Sequence, residues 1–171
     1  MADTAKITEP TTIASITLTV TRGVTAGWIA GIPQVLVAQA GAHLLGIRER
    51  ADIGPRFIRR AAEHAGRPLS RPMHWLLGGV FHFEYAAMWG AVYALPVERL
   101  GTRRVPPLLS GLLLGAVIYA AGFSRLGAAT RTGAERAPGR REARETVVHW
   151  SAALSFALIT AYTYRWLRER W

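Results

Sequence analysis

Long apolar stretches alternate with arginine-rich connectors along this chain of 171 residues. The stretch that organises the pattern is HWLLGGVFHFEYAAMWGAVYAL, His74 to Leu95. Its length of about 22 residues, at roughly 1.5 Å rise per residue, suffices to cross a hydrocarbon core of roughly 30 Å. Three further stretches predict helices over 23–47, 107–128 and 145–167. The fold class expected is all-α, a four-helix transmembrane bundle spanning 23–171 behind an N-terminal arm, 1–22.

In the first span Gly23, Gly27 and Gly31 recur every four residues. Such a small-residue stripe lets another helix approach backbone to backbone. Pro33 removes a hydrogen bond there and predicts a kink. Gln34 and Gln39 should face protein. Just before the span, the Thr- and Ile-rich TTIASITLTVT fits an interfacial arm or a frayed helix start, with Arg22 at the headgroup boundary. Gly111, Gly115 and Gly122 supply a second close-packing face in the third span. In the fourth, Trp150 and Trp166 fall near the two ends, as an aromatic belt requires.

The connectors carry information too. Within 48–72, Pro55–Ala65 sets Phe57, Ile58, Ala61 and Ala62 on one side and Arg56, Arg59, Arg60 and Glu63 on the other. That pattern fits a short amphipathic helix lying on a membrane surface. The connector 96–106 is short and predicts that spans two and three are antiparallel neighbours. Residues 129–144 are rich in Arg, Gly and Pro and read as a flexible loop.

Charge sharpens this picture. There are 21 Lys and Arg against 11 Asp and Glu, a net charge of +10, while half the residues are apolar and mean hydropathy is +0.16. Every base except Lys6 is arginine, and the arginines flank the apolar blocks. This places them against lipid headgroups rather than nucleic acid. The absence of cysteine excludes disulfide, thiolate-metal and thiol chemistry. Ala, Arg and Gly dominance suggests a GC-rich bacterial genome. No cleavable leader is expected, because MADTAKITEP makes a poor n-region. Four spans put both termini on one side. The termini and second connector hold 8 bases and the first and third connectors, with Arg125, hold 13. The positive-inside rule therefore leans towards cytoplasmic first and third connectors.

Two residues stand out inside span two. Glu84 lies near its midpoint, and a carboxylate at that depth is costly unless it is paired or protonated. A packing bundle or an oligomer partner should cover it. His82 lies on a small-residue stripe with Gly78, Ala86 and Gly90, about 200° round the helix from Glu84. A second group is set by depth. His43, His74, Arg125, Glu145 and His149, from four spans, fall at one membrane face, and Glu145 and His149 are i, i+4 neighbours that can touch.

Three readings of these residues stay open: a haem, pigment or metal site, a proton path through Glu84 and His82, or plain structural bonding to lipid and loops. No spaced metal or haem motif, phosphate loop, paired catalytic carboxylates or Ser-His-Asp set is present, so no catalytic or metal residue is assigned.

The strings GVTAGWIAGIPQ, GGVFHFEYAAMWGAVYAL, SGLLLGAVIYAAGF and ETVVHW resemble the YagU-like family of small bacterial inner-membrane proteins. The resemblance covers about 23–167. It implies four spans, a second-span histidine matched by His82, and a Glu-x-x-x-His start to the fourth matched by Glu145 and His149. It also implies an association with acid tolerance and cytoplasmic termini, the latter against the charge count. The function expected is non-enzymatic: an accessory or stress-related component of the bacterial cytoplasmic membrane, packed against itself or a larger complex. A proton or small-ion conductor, and a haem- or chlorophyll-binding subunit, are the alternatives.

Overall fold

The computed structural model describes residues 12–47, 53–99 and 105–171, and every regular element among them is helical. Helix α1 is Thr12–Leu44, α2 Ile53–His64, α3 Arg71–Arg99, α4 Pro107–Phe123, α5 Ala128–Arg131 and α6 Ala143–Arg170.

α1 takes in the Thr-rich stretch ahead of Gly23, the helix-start alternative for that segment. Extending a nucleated helix gains a hydrogen bond per residue without a new nucleation cost. The remainder of the arm, residues 1–11, lies outside the described residues. Gly46 ends α1 at φ 62°, with the Ile47 amide donating to the Ala42 carbonyl at 2.9 Å. Gly66 ends α2 in the same way, through Arg67 and Ala62. A left-handed residue at this position satisfies carbonyls the helix leaves open, and glycine adopts it without a Cβ penalty. α4 starts on Pro107, whose missing N–H costs nothing in a first turn. It stops at Phe123 because Ser124 is extended.

The lateral order is α3, α1, α6, α4: α3 packs on α1, α1 on α6, and α6 on α4. This corrects the expected pairing of spans two and three, since α3 and α4 do not pack along their lengths. Small-residue complementarity overrides the short connector. A Cβ on Gly27 would strike the Ala86 carbonyl, and one on Gly90 the Gly23 carbonyl. Gly111 and Gly115 face Leu158 and Leu154 of α6, where an added Cβ would sit 3.0 and 2.9 Å from their side chains. Both glycine faces are thus used within the chain, so they give no reason for an oligomer.

Most buried apolar residues are alanine; the larger ones are Tyr93, Leu114, Ile118, Val148, Phe156, Tyr164 and Leu167. Many large apolar side chains lie outside: Trp28, Ile32 and Leu36 on α1, Leu76, Val80 and Met88 on α3, Leu109, Leu113 and Val117 on α4. Among the described residues one stretch, Pro107–Arg131, is by itself long and apolar enough to cross a membrane.

One end of the bundle is tied together by side-chain bonds. The Tyr164 hydroxyl, on a side chain 1% exposed, donates to Glu98 Oε1 at 3.1 Å, and Arg168 stands 3.7 Å from the same oxygen. Tyr93 sets its ring edge-on to Tyr164, while its hydroxyl lies 2.9 Å from Ser110 Oγ and ties α3 to α4.

Candidate functional site

The opposite end opens into a cleft of about 920 Å³. Three elements supply its charge. Arg56, Arg59 and Arg60 come from α2, Arg71 and His74 from the first turn of α3, and Glu135, Arg136, Glu145 and His149 from the α5–α6 end. Five arginines against two carboxylates make its lining cationic.

α2 is placed for this by its two sides. Its Phe57 ring stacks on Phe81 of α3 at 4.8 Å, and Gly54 and Pro55 press on Gly78, where a Cβ would come within 2.7 Å of Pro55 Cα. The apolar side is therefore used against α3, and lipid is not its sole partner. The arginine side faces the cleft, and Arg56 reaches Glu135 Oε1 at 2.5 Å. α2 so ties α3 to the segment that follows α4.

That segment, read from sequence as a flexible loop, is folded. Thr132 Oγ1 donates to the Ala128 carbonyl at 2.9 Å, the Glu135 amide to the Ala129 carbonyl at 2.9 Å, and Arg141 Nη2 to the Arg136 carbonyl at 2.7 Å. Gly133 and Gly139 take positive φ at its turns. Its purpose is visible in Glu135, whose side chain is 6% exposed and lies between Arg56 and His149 Nε2, the latter at 3.8 Å.

The five residues expected to form one layer divide. His74, Glu145 and His149 meet in the cleft; His43 and Arg125 are exposed and do not line it. No hydrogen bond or ion pair joins Glu145 to His149. Glu145 instead accepts the Glu142 amide at 3.0 Å, capping α6, and stands 3.8 Å from Arg136. The open N–H groups of a helix start compete successfully for a carboxylate one turn in. His149, 6% exposed, stacks flat on Phe123 with ring centroids 4.4 Å apart. Trp150, expected in an aromatic belt, stacks on Tyr119 within the protein, whereas Trp166 is exposed under Arg170.

Below the cleft lies an apolar groove of about 440 Å³, between α3 and α4 where those helices part. Phe81 and Tyr85 form one wall, Ile118, Gly122 and Phe123 the other, and Ala152 and Ala153 the floor. Gln34, Gln39 and His82 add its polar points. The half-buried His82 places Nε2 3.0 Å from the Gly31 carbonyl oxygen. A carbonyl only accepts, so Nε2 carries the proton. Cleft and groove share Pro55, Trp75 and His149 in their walls, so the two adjoin.

Glu84 is elsewhere. It is exposed on α3, and no helix among the described residues covers it. Its place among interior polar groups is corrected to this extent: the 200° step from His82, which turns inward to α1, carries Glu84 outward between exposed Val80 and Met88. Among the described residues no three His, Asp or Glu side chains converge as a metal-ligand group.

Sequence reasoning missed Glu135 and the cleft arginines as a unit. A signal for Glu135 was present: from Arg99 to Ala134 the chain has no acid, and Glu135 is the first to follow. No family model, curated protein or solved structure matches the chain.

Proposed function

We propose that this protein is a multi-pass, four-span component of the bacterial cytoplasmic membrane, without enzymatic activity of its own. In this reading its α3 face around Glu84 packs against a second copy or a subunit of a larger membrane complex. One observation carries it: an interior in which alanine and glycine predominate, inside a shell of many exposed large apolar side chains, a distribution unusual for a water-soluble bundle. The runs between charges support spanning by α1, α3 and α6 as well as α4. No Asp, Glu, Lys or Arg occurs from Gly23 to Ile47 or from Thr146 to Tyr164, and Glu84 is alone between Arg71 and Glu98. A lone carboxyl at mid-height, uncovered by any described helix, supports a protein neighbour there, because lipid leaves it unsatisfied. The accessory role in acid stress follows from the family resemblance.

Carbonate washing of membranes tests the first half. Retention in the pellet is expected, and release into buffer overturns it. Size determination in mild detergent tests the second. A dimer or larger complex is expected, reduced by Glu84→Leu; a strict monomer with no co-purifying subunit overturns it.

A further inference from the structure

We propose that the arginine cleft and the apolar groove form one site for a single anionic lipid. Its phosphate sits among Arg59, Arg60 and Arg71, and one acyl chain lies between α3 and α4. This deepens the membrane reading and rests on it.

Charge and shape carry the proposal. The two carboxylates lining the cleft are engaged, Glu135 by Arg56 and Glu145 by the α6 start and Arg136. Glu63 serves Arg59 and Arg60 on their exposed side, at 3.9 and 3.1 Å. Arg71 has no ion pair among the described residues. Among the described residues the cationic excess is uncompensated, and guanidinium groups match phosphate oxygens in a bidentate fork.

The groove explains why the anion should carry a chain. Gly122 lines it from α4, and a Cβ added there would meet no atom within 4 Å. Elsewhere glycines on these helices, such as Gly90 and Gly115, sit where a neighbouring helix leaves no space for a Cβ. At Gly122 the space is open, and both cavities fall in the roughly 300–1,000 Å³ range of ligand sites. A soluble anion would use the cleft and leave the groove idle. A lipid uses both, entering where α3 and α4 separate.

The test uses the full-length protein in detergent micelles, with native mass spectrometry reading bound lipid. The probes are phosphatidylglycerol, phosphatidylcholine and inorganic phosphate. One retained phosphatidylglycerol is expected, with weaker phosphatidylcholine retention and no displacement by equimolar phosphate. The Arg59→Gln/Arg60→Gln/Arg71→Gln variant should lower phosphatidylglycerol affinity by about tenfold or more, as loss of charge-assisted bonds requires. Gly122→Leu, which starts from a Cβ position that meets no atom within 4 Å, should lower it comparably while circular dichroism stays unchanged. Equal retention by wild type and both variants overturns the proposal, as does phosphate binding as tight as the lipid's. A protein that needs no detergent fails the membrane reading itself; a detergent-requiring protein without headgroup preference sinks this site alone.

Discussion

His82 Nε2 donates to the Gly31 carbonyl oxygen across 3.0 Å, a bond from α3 to the backbone of α1. It lies one turn beyond the contact of Gly27 with Ala86, so the close backbone approach is what brings a carbonyl within reach of the ring. His82→Ala should cost about 1 kcal/mol. His82→Gln, which keeps a donor near the same place, should recover most of it. Thermal unfolding in detergent reads both; equal loss in the two variants removes the bond from the account.

The α1–α3 crossing tolerates no added atoms. Gly27→Ala should destabilise by about 1–3 kcal/mol, since its Cβ meets the Ala86 backbone and no side chain can yield. Gly79→Ala on α3, with open space at its Cβ, should be within about 0.5 kcal/mol of wild type. Denaturant titration of the pair separates backbone contact from helix propensity, which favours alanine at both sites.

Arg56 and Glu135 fasten α2 to the segment before α6. Glu135→Gln takes a buried carboxylate away from the Arg56 guanidinium and should cost about 3 kcal/mol. Replacing both, as Arg56→Met/Glu135→Leu, should cost less than Glu135→Gln alone. A double-mutant cycle checks this; a double variant worse than the sum of the singles would contradict it.

At the tied end, Tyr164→Phe removes the hydroxyl that Glu98 accepts from and should cost about 1–2 kcal/mol. Arg168 still faces Glu98, so the carboxylate keeps a partner and the bundle stays folded. Hydrogen exchange should rise in the last turns of α3 and α6 and stay unchanged at the cleft.

The helices were legible because each is a long run of one character. Their neighbours were not, because connector length says only which helices are close in sequence. Gly23, Gly27 and Gly31 on α1 have their counterpart in Ala86, Gly90 and Ala94 on α3, a match at the same spacing that outweighs a short link. His74, Glu145 and His149 were placed together by depth alone. Depth could not separate them from His43 and Arg125, since rotation about each helix is set by packing. The i, i+4 spacing of Glu145 and His149 allowed a bond that the α6 start takes away. Glu135 was hidden in a run that looked like linker, because its worth depends on Arg56, 79 residues earlier.

The contrast between the two ends has a further consequence. Tyr164, Glu98 and Arg168 tie one end together, while the arginines of α2 and α3 line a cleft at the other. If that cleft takes a lipid headgroup as proposed, its one-sided placement would confine lipid exchange to a single leaflet, and the orientation acquired on insertion would decide which.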